Sequence, residues 1–198
     1  MNDATEAPGW GAIDEALERL YPEQEPKHWA TQRGIDLGDG LQGVSAYRAN
    51  GHWHYVSYGL SELFAKESEF PDQSGFGYEL TFRAAATTTD EAPLWPATLL
   101  ERLAQTVWDG SDYAIGDRVG VGGPITGNDD TALDALAVVL DPELGEIDTP
   151  HGRLAFKQLV GITAAEWKEM KRTSTEQVLR RLQANNPLLV TDVHRATP

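Results

Sequence analysis

His52-Trp53-His54-Tyr55-Val56-Ser57-Tyr58-Gly59-Leu60-Ser61-Glu62-Leu63 is followed, after a short gap, by Ser74-Gly75-Phe76-Gly77-Tyr78-Glu79-Leu80-Thr81-Phe82-Arg83. Both stretches are dense in aromatic and β-branched residues and are bounded by glycine, so each reads as a strand. Side chains alternate along a strand, which sends Phe76, Tyr78, Leu80 and Phe82 one way and Gly77, Glu79, Thr81 and Arg83 the other. The alternation predicts a sheet with one dry face.

Working outward, Leu41 to Arg48 reads as a strand, and Asn50-Gly51 is a turn dipeptide whose residues both tolerate positive φ. Strand, turn and the strand from 52 to 59 make a hairpin, which the strand at 76 to 84 extends. Upstream, Trp10, Ile13, Leu17, Leu20 and Tyr21 share one stripe of a helix over residues 8 to 21, ended by Pro22 and Pro26. Residues 27 to 40 read as a loop rich in glycine and aspartate. Downstream, an alanine and threonine connector (84 to 89) leads to Pro93 and Pro96, which introduce a helix with Leu99, Leu100, Leu103 and Val107 on one face and Trp108-Asp109-Gly110 at its end.

Residues 113 to 125 suggest a short strand running into a glycine-rich loop, with 127 to 130 the most exposed part of the chain. A strand near Leu136 to Leu140, the turn Asp141-Pro142-Glu143 and a strand from Gly152 to Ile162 follow. Two capping boxes, Thr163-Ala164-Ala165-Glu166 and Thr173-Ser174-Thr175-Glu176, each open a helix. Leu188 to Val193 reads as a last strand. Hairpins with segregated helices argue α+β, a mixed and largely antiparallel sheet flanked by helices. No repeat and no long linker divides the chain, so residues 1–198 are expected to form one domain with its core at about 8–195.

The 198 residues are 40% hydrophobic and 24% charged, ordinary for a soluble globular protein. No apolar run is long enough to span a bilayer, and Met1 to Glu6 lacks the basic and apolar regions of a secretory signal, so a cytoplasmic protein is expected. With no cysteine, disulfides, thiol nucleophiles and thiolate metal sites are excluded. The net charge of -15 repels phosphate backbones, which argues against nucleic-acid binding. Two readings of that charge stay open: it speeds encounter with a basic partner, or it merely solubilises the chain.

Candidate chemistry is sparse. His52 and His54 face the same side of their strand, a spacing that some metal sites use, but no third ligand accompanies them and a structural or hydrogen-bonding role is the better reading. His28, His151 and His194 are isolated. There is no G-x-S-x-G elbow, and Gly116 to Gly123 matches neither dinucleotide-binding nor P-loop spacing. Glu62, Glu67, Glu69 and Asp72 read as a solvated loop, lacking a spacing that sets two carboxylates across a cleft. Of the six tryptophans most belong to the core, with Trp29 and Trp95 the candidate surface anchors for a protein partner. No catalytic residue, metal ligand or cofactor is predicted.

The two opening stretches resemble the HWHY-(V/I)-(S/T)-(Y/F)-GLS-(E/D)-L and SGFG-(Y/F)-ELTFR signatures of the Suppressor of fused family. The resemblance continues through Pro8-Gly9-Trp10, Ala12-Ile13-Asp14, Tyr21-Pro22, Pro26-Lys27-His28-Trp29 and Gly43-Val44-Ser45-Ala46-Tyr47. It resumes at Trp95-Pro96-Ala97, Gly116-Asp117-Arg118-Val119, Thr149-Pro150-His151-Gly152, Phe156-Lys157-Gln158-Leu159-Val160-Gly161 and Leu189-Val190-Thr191-Asp192. The second, C-terminal domain of animal members has no counterpart in these 198 residues.

The resemblance implies a non-enzymatic binding protein. Animal members regulate Hedgehog signalling by clamping a peptide of Gli transcription factors between two domains, and the region resembling Leu103 to Gly123 contacts that peptide. Asp117 matches an aspartate of the contacting run, whereas the run's final histidine falls at Gly122 and an aromatic of the preceding helix falls at Thr106. The Gli chemistry therefore does not transfer intact. What transfers is a mode, in which a peptide adds to an exposed strand edge near 113 to 121. Tyr113, Asp117, Arg118 and Gly122 are the expected partner-binding residues, Asp117 as an acceptor and Tyr113 as an apolar anchor with a polar tip. The alternative for Asp117 is a turn residue bonding its own backbone. Single-domain relatives imply an immunity protein that neutralises a toxin. Two other readings stay open, a small-ligand protein or enzyme using the glycine-rich loop 116–123, and an oligomerising unit.

Overall fold

The computed structural model describes residues 7–31, 40–87, 89 and 91–195. Its elements run α1 (Pro8–Leu20), β1 (Lys27–Ala30), β2 (Gly43–Ala49), β3 (His52–Tyr58), β4 (Gln73–Ala85), α2 (Trp95–Trp108), β5 (Arg118–Gly120), β6 (Leu133–Leu140), β7 (Glu146–Thr149), β8 (Gly152–Thr163), α3 (Ala164–Arg172) and α4 (Thr175–Gln183). One sheet is ordered β1-β2-β3-β4-β8-β6-β5, with β7 forming a hairpin on β8. Every pairing is antiparallel except β4 with β8, where Leu80 faces Lys157 and Phe82 faces Leu159 in parallel register. The fold is α+β with a mixed sheet, as the sequence pattern predicts.

Helices cover both faces. On the first, α2 lays Leu99, Leu100, Leu103, Ala104 and Val107 over Trp53, Tyr55, Tyr78, Leu80, Phe82, Leu136, Val138 and Leu159 in one continuous apolar cluster. On the second, α1 covers one end, packing Ile13, Ala16 and Leu17 on Val56, Tyr58, Leu154 and Phe156. Met170 of α3 and Val178 and Leu179 of α4 cover the other end, over Ala135, Ala137, Val160 and Ile162. Strand β4 gives no residue to either of these two clusters. Its second face carries Glu79, Thr81 and Arg83, each with 0% exposure.

That is the main departure from the expected single dry face. Both faces of β4 are buried, and the polar one is dry because its groups bind one another. The physical condition is complete hydrogen bonding, without which burying these side chains would cost several kcal/mol.

Other differences are local. Lys27–Ala30, expected in a loop, pairs with β2 as the edge strand β1, while residues 32–39 of that expected loop lie outside the described residues. Of the turn pair Asn50-Gly51, only Gly51 takes a positive φ, +78°. Glu146–Thr149 forms a short strand that the sequence reading left in a connection. The first capping box is present at Thr163 and Glu166. The second does not form: Ser174 is the N-cap, accepting from the Gln177 N–H, while Thr173 ends α3.

Leu188 to Val193 is not a strand. Leu189 has φ +50°, which breaks an extended run, and the segment makes a single bridge between Thr191 and Ala84. There β4 and β8 part, and Thr191 fills the fork: its N–H donates to Arg83 O (2.7 Å), its carbonyl accepts from Ala85 N–H (2.9 Å), and its hydroxyl accepts from Gly161 N–H (3.0 Å).

Candidate partner-binding surface

Strand β5 is the terminal strand of the sheet order, and a tight turn delivers it. Gly116, with φ +95°, lets the chain reverse, and the Asp117 carboxylate accepts from the Ala114 N–H (2.8 Å) across the turn. Gly116 N–H donates to Val138 O and Val138 N–H donates to Asp117 O, both 2.9 Å, so two residues oppose one at the strand's entry. Arg118, Val119 and Gly120 then face Ala137, Leu136 and Ala135. Antiparallel alternation turns the N–H and C=O of Val119 toward β6 and those of Arg118 and Gly120 outward. Among the described residues no strand pairs with that outer side.

The expected site residues cluster here but point in different directions. Tyr113 is 6% exposed; its hydroxyl meets the Thr106 hydroxyl and its carbonyl accepts from Lys157 Nζ (2.6 Å), so the ring belongs to the first-face core. Asp117 places its carboxylate in its own turn, the alternative that sequence reasoning held open. Arg118 reaches inward, donating to Thr175 Oγ1 (2.9 Å) with its guanidinium 5.7 Å from the Trp167 ring, which fastens the edge strand to α3 and α4. Gly122, at φ +78°, has open space where a side chain would be. What no described strand pairs with here is the outer backbone of β5, and the loop beyond it follows.

The cavity touching this stretch holds about 230 Å³ between Gly120, Asp134, Ala135, Ala164, Trp167 and Lys168. Small-ligand pockets usually run from about 300 to 1,000 Å³.

The titratable groups of the sheet face one another instead. Asp141, which sequence reasoning treated only as part of a turn, is their hub. Its Oδ1 accepts from Arg83 NH2 (2.9 Å) and from the N–H groups of Glu143 and Leu144 (3.0 Å each). Its Oδ2 accepts from His54 Nε2 (3.0 Å) and Thr81 Oγ1 (2.9 Å). Burial alone would raise this carboxyl's pKa; the His54 and Arg83 partners and the turn N–H groups overcome that and hold it far below the usual range.

An ionised Asp141 can only accept, so His54 must donate from Nε2. Burial keeps the imidazole neutral, and its Nδ1 then accepts from the Tyr21 hydroxyl (2.9 Å), whose pKa burial pushes up to about 12. Arg83 also donates to Gln158 Oε1 (3.2 Å), His52 Nε2 (3.2 Å) and Glu143 (2.8 Å). Burial and the adjacent Arg83 push His52 down to about 4. The two histidines are thus hydrogen-bonding core residues, as their spacing without a third ligand suggested. Glu79 forms a separate knot, accepting from Ser57, Gly59 and Ser61, with burial raising its pKa.

Two readings of surface residues change. Trp95 stands edge-on to Phe82 (5.3 Å) and Trp29 stacks on Tyr55 (6.0 Å), so both are packed against the core; the exposed tryptophan is Trp108. Glu62 is not part of a solvated loop. Burial would raise its pKa, but Lys66 and the N–H groups of Ser68, Glu67 and Gly75 draw it down to about 2 and make it the loop's organiser. Gly9 allows this loop to seat on α1, since a Cβ there would lie 2.0 Å from Glu62 O.

The comparisons agree with this architecture. The profile described as Suppressor of fused protein (SUFU) matches residues 38–196. The human and mouse proteins called Suppressor of fused homolog are each 34% identical over 94% of this chain, and the chain spans 43% of their length. A chain of a Sufu-Fu complex crystal structure superposes with TM-score 0.89 and 31% identity, covering 96% of this chain and 92% of that one. Drosophila Suppressor of Fused gives 0.88 at 31% identity, over 96% of this chain and 51% of that one. A homologue from Neisseria gonorrhoeae shares the fold at TM-score 0.65 and 18% identity, over 96% of both chains. A family model that matches residues 38–196 and a relative 31% identical over 92% of its length together show that this chain belongs to the Suppressor of fused family.

Proposed function

We propose that the chain acts as a non-enzymatic binding module that sequesters a partner protein in the cytoplasm by taking one of its segments as an added strand on β5. The observation that carries this reading is the outer side of β5, where Arg118 and Gly120 offer backbone groups on a strand anchored to two helices. Main-chain hydrogen bonds would supply affinity, and the Gly122 loop would admit side chains that bulkier residues would exclude. The turn from Ala114 to Asp117 sets the strand's position, and the buried Tyr113 ahead of it is held by Thr106 and Lys157. The relative matched over 92% of its length comes from a complex of Sufu with Fu, which supports protein binding at the level of the domain. The charge of -15 favours a basic partner, and a toxin domain neutralised by an immunity protein fits that description.

Gly120→Pro tests the mode, because proline removes the outward N–H and leaves the bonds to β6 untouched. Tagged wild type and variant are compared by affinity capture from native lysate and mass spectrometry, with thermal unfolding as the control. A basic protein retained by wild type and lost by an equally stable variant supports strand addition. Equal retention by both overturns it.

A further inference from the structure

Seven large hydrophobic side chains are notably exposed among the described residues, and four of them, Phe64, Phe70, Phe76 and Trp108, line one groove of about 780 Å³. Scattered exposed hydrophobics are ordinary; a gathered set is what interaction surfaces show. Phe70 is 67% exposed and Phe64 52%. Phe76 and Trp108 meet edge to face at 5.0 Å within the groove.

The groove is preformed. Glu62 accepts from the N–H groups of Glu67 (2.6 Å), Ser68 (2.5 Å) and Gly75 (3.0 Å), which fixes the loop that presents Phe64 and Phe70. Gly75, at φ +54°, packs where a Cβ would lie 2.6 Å from Leu60 O, so the loop's return to β4 has little freedom. A rigid aromatic surface loses less entropy on binding than a mobile one.

Its charge selects the occupant. Glu67 contributes a carboxylate from the loop and Asp112 another from the segment after α2; Asp112 is 77% exposed, with its Oδ1 accepting from the Tyr113 N–H (2.8 Å) and lying 3.9 Å from Lys157 Nζ. The cation of this loop, Lys66, is already bound to Glu62 (2.8 Å), Ser68 (2.8 Å) and the Gln73 carbonyl (2.5 Å). We propose that this groove is a second docking site, separate from β5, for a segment of a partner protein that seats an aliphatic or aromatic side chain between Phe70, Phe76 and Trp108 and sets a neighbouring lysine or arginine against Glu67 and Asp112. Aromatic contact supplies the affinity and the two carboxylates on the groove's rim reject acidic segments.

Phage display of a random dodecapeptide library against the whole chain provides the probe. Enriched peptides should combine one large apolar residue with a nearby lysine or arginine. A synthetic copy of the leading peptide should bind about tenfold or more weakly to Phe70→Ser and to Glu67→Lys, both exposed positions that leave the core intact. It should bind equally to wild type, to Leu94→Ser and to Gly120→Pro, which separates this groove from the β5 edge. Enriched peptides without a cation, or binding indifferent to Phe70→Ser and Glu67→Lys, would overturn the proposal. So would a concentration-dependent mass in solution that Phe70→Ser abolishes, because a second copy of the chain would then be the occupant.

Discussion

The two faces of the central sheet are stabilised in different ways. Against α2, the first face is one apolar cluster whose contacts need no particular partner. The second face has two smaller apolar clusters, and between them β4 buries Glu79, Thr81 and Arg83 beside His52, His54, Gln158 and Asp141. An apolar face tolerates loss of a group in proportion to the area and cavity involved. A buried polar row fails differently, because removing one partner leaves the others desolvated and unpaired. Closely similar depth of burial thus produces different sensitivity to mutation and to pH.

The sharpest way to break the comparison is Asp141→Ala. It strips Arg83, His54, Thr81 and two backbone N–H groups of their acceptor at once, and should cost about 3–5 kcal/mol in urea unfolding. Leu100→Ala on the first face should cost about 2–5 kcal/mol, with the same loss at pH 7 and pH 5. If the two variants respond identically to pH, the distinction between the faces is wrong.

A smaller effect concerns acid. His52 is held to about 4 and His54 is also lowered, so the folded state binds fewer protons than the unfolded one. Their contribution is present above the unfolded value of about 6.5 and is lost as pH falls toward the folded values, by up to about 1.4 kcal/mol per pH unit for each imidazole. His52→Gln should flatten the stability profile between roughly pH 6.5 and 4; calorimetric or urea midpoints across that range decide it.

Glu79→Gln should have the smallest effect, within about 1 kcal/mol at pH 7. With its pKa raised, Glu79 contributes stability that is present below the unfolded carboxyl value and is lost as pH rises through the folded one. Glutamine cannot titrate, so the variant should gain on wild type as pH rises from acid to neutral. A widening deficit instead would mean that the site requires the carboxylate.

Much of this was legible in the sequence where local rules act alone. Helix α1 follows from the stripe of Ile13 and Leu17, and the hairpin of β2 and β3 from Asn50-Gly51. The first-face residues of β4 follow from alternation. Alternation also placed Glu79, Thr81 and Arg83 correctly on the opposite face, but composition then suggested that this face was wet. It is dry because Asp141 arrives from a turn far away in the chain, and no local pattern announces that meeting. The same limit applies to Tyr113 and Asp117, whose types suit a partner surface but whose partners here are Thr106 and Ala114. The aromatic groove left a partial trace: Phe76 and Trp108 each end an apolar stripe, yet only the fold brings them together with Phe64 and Phe70.

Thr191 carries a consequence for synthesis. Its three backbone and hydroxyl bonds close the fork between β4 and β8, and the nearby Leu188 and Leu189 carbonyls hold the Gln158 amide that in turn accepts from Arg83. A nascent chain can assemble the hairpins and α1 early, but the centre of its sheet does not lock until residues 188–191 have also emerged. Until then the Gln158 amide that receives Arg83 is not held, and the emerging protein is open at its middle.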